Sequence, residues 1–258
     1  MNKIRLSVIM VVRNEERQIR QCLESIRWAG EIVIVDQSSE DNTAAICREF
    51  TDKVYVVSNK GFCEPDRPFA LSKTSNEWIL YLDADERVSP RLKEEIFLTM
   101  ERAPDEGSFY IPRKNIFLGK WIKGSGWYPG YVLRLFRRAS VRFSSAIHTD
   151  VFPSGPSGYL REPVVHYTCV DLEEYIRKMN RYTGILAGQA YDRGARLTPF
   201  SFAIRLFCVP TVQACRKLIL QKGFIDGKYG FLIAGLTWLT IFFMNVKVWE
   251  IQKKERPA

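Results

Sequence analysis

A chain of 258 residues, 46% hydrophobic and 26% charged, fits one domain of moderate size with an appendage, or two small ones, and is too apolar to be disordered. Six cysteines without a CxxC pair and only two histidines make a zinc site hard to assemble. The net charge of +9 is unevenly spread: residues 107–149 hold eight Lys/Arg and no acid, and residues 175–222 hold nine with one acid, Asp192. Such single-sign stretches point to phosphate-bearing ligands or an anionic membrane surface, or else to a solvated basic face; nucleic acid is not among the expected partners.

The N-terminal run to Val12 is too short for a signal peptide, so the body of the protein is expected inside the cell, with its cysteines as reduced core residues. Along the first hundred residues strand and helix signals alternate. LSVIMVV reads as a strand, followed by a helix capped by Asn14 with Ile19, Cys22, Leu23 and Ile26 on its apolar face. EIVIVD, KVYVV and WILYLD read as three further strands. SSEDNTAAICREF and PFALSKTS read as helices between them, and Ser89-Pro90 starts another. Repeated units of this length predict an α/β fold with a mainly parallel, doubly wound sheet.

In such sheets ligands bind beyond the carboxyl ends of the strands. Three of those ends are polar, RNEE, DQSSED and DADE, and are expected to converge on one crevice. Alternation along a strand would send Asp83 and Asp85 to the same side. Two carboxylates so close are explained by a hard divalent cation such as Mg²⁺ or Mn²⁺ that in turn holds a diphosphate, or else are two solvated acids before a helix. Asp36 suits a nucleotide base or ribose, with Arg13, Asn14 and Glu15 beside it. Neither GxGxxG nor GxxxxGK[ST] occurs, so the pattern points to sugar-nucleotide use.

Residues 107–167 read as short β-like runs divided by Gly, Pro and aromatics, the kind of loop-rich region that carries substrate recognition. Trp121 and Trp127 there either stack on sugar rings or pack the loop. From Asp171 the pattern is helical, with a start at Thr198-Pro199 and a kink or split at Pro210. Residues 229–246 carry no charge and read as a membrane span, as an interfacial helix anchored by Trp238 and Trp249, or as a hairpin packed on a partner.

SVIMVVRNEERQIRQCLESI, EIVIVDQSSEDNT, FALSKTSNEWILYLDADERVSP, IPRKNIFLGKWIKGSGWYPGYVLRLFRR and GFIDGKYGF together resemble family 2 glycosyltransferases of the GT-A fold, and within them the bacterial lipopolysaccharide-core β-1,4-glucosyltransferase group. The resemblance implies a Rossmann-like GT-A catalytic domain over residues 1–165 and a helical, membrane-associated extension over 166–258. It implies that Arg13, Glu15 and Asp36 contact the uridine of a UDP-sugar, that Asp83 and Asp85 hold the metal and diphosphate, and that transfer is an inverting single displacement. Arg134 is expected on the diphosphate. Relatives carry an acid where this chain has Gly130, which leaves Asp150 or His148 as the expected base, with Glu86 in reserve. GFCEPDRPFAL also departs from the pattern at Asp66-Arg67-Pro68. His166 and Asp226 are expected to be structural.

The implied activity is transfer of a hexose to a lipid-linked glycan, of the lipopolysaccharide-core kind, at the cytoplasmic face of the inner membrane by a peripheral or single-span protein. The alternatives are transfer to polyprenyl phosphate, and a degenerate relative that binds nucleotide-sugar or membrane as a scaffold.

Overall fold

A computed structural model describes residues 5–61, 63–102, 105–143, 151–169 and 171–255. In chain order the strands and helices are β1 (Leu6–Val12), α1 (Ile19–Ser25), β2 (Glu31–Asp36), α2 (Thr43–Arg48), β3 (Val54–Val56), α3 (Arg67–Ser72), β4 (Trp78–Tyr81), β5 (Glu86–Arg87), α4 (Pro90–Glu101), β6 (Ser108–Phe117), β7 (Lys120–Trp121), β8 (Gly130–Arg137), β9 (Val141–Phe143), β10 (Val151–Pro153), β11 (Ser157–Tyr159), β12 (Val164–Cys169), α5 (Leu172–Asp192), α6 (Pro199–Ala203), α7 (Val209–Cys215) and α8 (Lys228–Lys254). They form two compact units, one of residues 1–114 and 130–166, the other of residues 115–129 and 167–258.

In the first unit the strand order is β3-β2-β1-β4-β8-β6-β12-β5, with β11 beside β6. β1 to β4 pair in parallel, while β8 joins β4 and β6 in antiparallel. The sheet is therefore mixed, parallel from β3 to β4 and antiparallel where β8 joins it. Every residue of β1 is buried, as a β-branched strand covered on both faces must be. One face packs Leu6, Val8 and Met10 against Ile19, Cys22 and Leu23 of α1 and against Leu92 and Ile96 of α4. The other packs Ile9 and Val11 against Ile79, Tyr81 and Ala70 of α3. Fully burying each large side chain stabilises by about 1.5–3 kcal/mol, so these two layers fix the strand ends firmly. Ser89 caps α4 by accepting from Leu92 N at 3.1 Å, with Pro90 in the first turn as expected.

Asn14 is not the cap of α1. Gln18 stands there, and Asn14 takes a positive φ of 54° in the preceding loop. The apolar face read from sequence is correct: Ile19, Cys22, Leu23 and Ile26 are all fully buried.

In the second unit α5 starts at Asp171, whose carboxylate accepts from Glu174 N at 2.7 Å, and α6 starts with a capping box between Thr198 and Ser201. Pro210 neither splits nor ends the helical run. A π-helical turn over Ile204–Cys208 precedes α7, which carries Pro210 in its first turn, where the N–H that proline lacks is least needed. The apolar tail belongs to the 27-residue α8, which is long and apolar enough to cross a membrane, with 28% of its most apolar window buried. It is tied to its neighbours by polar contacts. Trp238 Nε1 donates to Thr211 Oγ1 at 3.0 Å, Asn245 Nδ2 to the Arg205 carbonyl at 3.1 Å, and Lys247 Nζ to Thr183 Oγ1 at 2.8 Å. Trp127 packs edge-on to Phe117 at 5.7 Å, within a small core that also holds Ile233 and Leu236.

All six cysteines are free. Cys22, Cys47 and Cys169 are buried, but Cys208 and Cys215 are exposed, which corrects the expectation that all six lie in the core.

Candidate active site

The loops after β1 and β2 interlock. Asn14 N donates to Ser39 Oγ at 2.9 Å, Asn14 Oδ1 accepts from Glu40 N at 2.8 Å, Glu15 N donates to Thr43 Oγ1 at 2.7 Å, and Arg13 pairs with Glu40 at 3.1 Å. Asn14 and Ser38 both hold left-handed backbone, strain that side chains other than glycine rarely accept outside functional loops. Asp36 is 1% exposed and accepts from Ser39 N at 3.0 Å and Ser39 Oγ at 2.5 Å. Gln37 reaches from the same strand end to the buried Asp66, which also pairs with Lys60. The off-pattern Asp66 thus joins the loop after β3 to the loop after β2.

Strand β4 ends at Tyr81, so the alternation expected for Asp83 and Asp85 does not apply. Asp83 opens a turn closed by Glu86 N on its carbonyl at 3.0 Å, and the two acids take different partners. Asp83 Oδ1 accepts from Tyr81 Oη at 2.8 Å, while Oδ2 faces Arg134 and, at 3.3 Å, Arg113. Burial alone would raise the Asp83 carboxyl, but the Arg134 and Arg113 guanidiniums outweigh it and hold it well below the usual carboxylate range. Glu86 has no exposed surface. It accepts from Arg113 Nε at 3.0 Å, Arg134 at 2.8 Å and Asp83 N at 3.1 Å. A carboxylate so enclosed is no reserve base.

Arg134 is 5% exposed and lies over the Tyr81 ring at 4.5 Å, and Arg67 lies over the same ring at 4.7 Å. Burial pushes the Tyr81 phenol upward, and the adjacent Asp83 charge adds to it, so Tyr81 stays a hydrogen-bonding phenol.

These groups line a cavity of about 410 Å³ that also takes in Tyr110, Tyr131 and Phe152. Gly130 opens β8 directly across from Arg113 of β6. The position where the resemblance implies a base therefore pairs in register with Arg113. His148 and Asp150, the expected bases, lie outside the described residues.

Asp85 differs from Asp83. Its Oδ2 is 3.3 Å from His166 Nε2, and its Oδ1 is buried with no hydrogen-bond partner among the described residues. A buried carboxylate oxygen without a partner is costly in a protein alone, and is what a hard cation would satisfy. Asp85 and His166 therefore fit a divalent ion. Among the described residues there is no cluster of three or more His, Cys, Asp and Glu that could hold one. A bound ion would complete its shell with water or phosphate oxygens, as Mg²⁺ commonly does.

Reading by sequence missed Arg113, Arg67, Tyr81 and the pairing of His166 with Asp85. Only His166 carried a signal, as one of two histidines. Asp226 is structural as expected: its carboxylate accepts from Lys123 N at 3.0 Å and Gly124 N at 2.7 Å.

A mixed sheet whose parallel strands deliver Asp36, Asp83 and Asp85 to their carboxyl edge, without a glycine-rich phosphate loop, defines a GT-A-type transferase. The profile of Glycosyl transferase family 2 matches residues 7–166, and the chain belongs to that family. It is 29% identical to the lipopolysaccharide core biosynthesis glycosyltransferase LpsC of Rhizobium meliloti, over 93% of each chain. Among solved structures, the mannosyltransferase PcManGT from Pyrobaculum calidifontis, in complex with GDP-Man and Mn²⁺, superposes with a TM-score of 0.53 at 15% identity, over 99% of this chain and 89% of that one. S. aureus TarS 1-349 in complex with UDP gives 0.50 at 16% identity, over 99% and 93%. These two likenesses bear on the fold.

Proposed function

We propose that the protein transfers a hexose from a UDP-sugar to a lipid-linked glycan, of the lipopolysaccharide-core kind, by a metal-dependent inverting displacement. The observation that carries this reading is the Asp85 carboxylate, with one oxygen beside His166 and the other buried with no hydrogen-bond partner among the described residues. The similarity to LpsC supports the acceptor class.

In this reading Arg13, Asn14, Glu15 and Asp36 form the floor for the nucleoside. Asp85 and His166 would hold Mg²⁺ or Mn²⁺, which when bound offsets charge on the diphosphate. Asp83 keeps Arg134 and Arg113 beside the cavity, where their positive charge favours a departing diphosphate. The acceptor oxygen attacks the anomeric carbon as the bond to UDP breaks, and its proton passes to Asp150 or His148. The exposed Tyr131 ring and Phe152 offer apolar faces to a sugar.

The test is UDP release from a panel of UDP-hexoses with Mn²⁺, with and without a lipid-linked acceptor extract. Turnover should be abolished by chelation and fall at least about a hundredfold in Asp85→Asn, a loss of about 2.7 kcal/mol in transition-state stabilisation. Metal-dependent UDP binding without turnover on any acceptor would favour the scaffold reading, and product on polyprenyl phosphate would favour the other acceptor.

A further inference from the structure

The second unit leaves uncovered a face that its own core does not explain. From Arg193 to Ile225 the chain has six Lys/Arg and no acid. Along α6, the π turn, α7 and the next π turn at Arg216–Leu220, large apolar side chains stand exposed: Phe200 is 85% exposed, Phe207 53%, Val212 63% and Leu220 76%. The stripe continues past the helix, where Phe224 is 55% and Phe231 61% exposed. Large apolar side chains this exposed, repeated along one segment, mark an interaction surface.

The turn that presents Phe224 is held rigid. Asp226 binds the backbone N–H groups of Lys123 and Gly124, and Lys217 Nζ donates to the Ser125 carbonyl at 3.0 Å. A Cβ at Gly230 would collide with the Gly223 carbonyl, and one at Gly124 with the Lys222 carbonyl, so both approaches require glycine. The apolar tip is therefore fixed in place by backbone contacts.

The flanking charges choose the occupant. Arg216, Lys222 and Lys228 are exposed around Leu220 and Phe224, and Asp226, which lies between Lys222 and Lys228, is buried. A second copy seated on this face by two-fold symmetry would bring like charges together. An anionic bilayer accepts both features, since hydrocarbon enters the acyl boundary and cations meet headgroup phosphate.

We propose that residues 199–231, rather than the centre of the apolar tail, are the element that inserts into an anionic phospholipid surface. Leu220 and Phe224 lead the insertion, and Arg216, Lys222 and Lys228 sit at headgroup level. The inference deepens the reading of a membrane-borne acceptor by naming the docking element, and rests on this face alone.

The test is co-sedimentation of the full chain with vesicles of equal parts phosphatidylglycerol and phosphatidylcholine, and with phosphatidylcholine alone. The double variant Leu220→Glu/Phe224→Glu should lower partition at least about tenfold, with unchanged helical circular dichroism and urea midpoint. Leu98→Glu, at an exposed apolar site of the first unit, should not change it. Arg216→Glu/Lys222→Glu should remove the preference for the anionic vesicles. A readout on the unaltered chain covers any variant that fails to fold: saturating anionic vesicles should slow maleimide labelling of Cys208 and Cys215, both exposed on this segment.

Unchanged partition in the folded double variant, unchanged labelling, or a solution dimer dissociated by the same substitutions would overturn the proposal. UDP release measured without membranes tests the catalytic reading separately. Its failure would leave a positive vesicle result standing, and a negative vesicle result would leave UDP release untouched.

Discussion

The two units place their misfit side chains in opposite ways. The first buries charge: Arg134 is 5% exposed, Asp36 1% and Glu86 not at all. The second exposes hydrocarbon, with Phe200 and Leu220 more than three-quarters in solvent. Each arrangement opposes folding. A buried ion loses several kcal/mol of hydration unless it is paired, and exposed apolar surface forgoes about 25 cal/mol per Å². A structure that carries both gives up stability in two places, at the polar strand edge and on the apolar helical face.

The comparison breaks most sharply at Arg134. Arg134→Ala leaves Asp83 and Glu86 to share Arg113 beside Tyr81 and should cost about 3–5 kcal/mol, read as a fall in urea midpoint. Adding Glu86→Gln should recover part of that loss, because it removes one of the two carboxylates competing for Arg113. A loss below about 1 kcal/mol would mean that the first unit does not depend on pairing its buried ions. Asp226→Ala asks the matching question of the second unit. Two backbone N–H groups, on Lys123 and the buried Gly124, would lose their acceptor, at a cost of about 2–3 kcal/mol by the same measurement. If stability stays put, the turn carrying Phe224 is not held by that carboxylate.

How far each region was legible follows the range of its interactions. Ser89-Pro90, Asp171 and Thr198-Pro199 announced helix starts because a cap acts within three residues. The buried strands β1 and β2 were equally plain, since an unbroken apolar run has few other uses in an α/β chain. The fate of Asp83 was not plain. Its guanidinium partners lie 30 and 51 residues downstream, and strand alternation misled because β4 stops at Tyr81. Asn14 looked like a cap, yet its bonds go to the loop after β2, which no local pattern reveals. The basic character of residues 175–222 was legible. Which face its neighbours leave uncovered was not, because periodicity says nothing about what packs where.

The smallest expected effect lies at the opposite end of the parallel strands from the acids, and it is pH-dependent. Glu31 opens β2 and accepts from Ser75 N at 2.8 Å, from the Ser75 and Ser7 hydroxyls and from Lys53. Burial would raise its carboxyl, but these donors prevail and lower it from 4.5 to about 2. A group depressed in the folded state adds stability that is fully present above its unfolded pKa and is lost as pH falls through the folded one. At about 1.4 kcal/mol per pKa unit the full contribution is about 3 kcal/mol. Screening at Lys53, whose side chain is 42% exposed, reduces it to about 2 kcal/mol. Glu31→Gln should therefore lose about 2 kcal/mol at pH 7 and converge on the parent as pH falls from about 4.5 toward 2. A deficit that persists unchanged at low pH would show that shape, not charge, holds this end of the sheet, and the first unit would then rely on its buried ions only at the strand edge that faces the cavity.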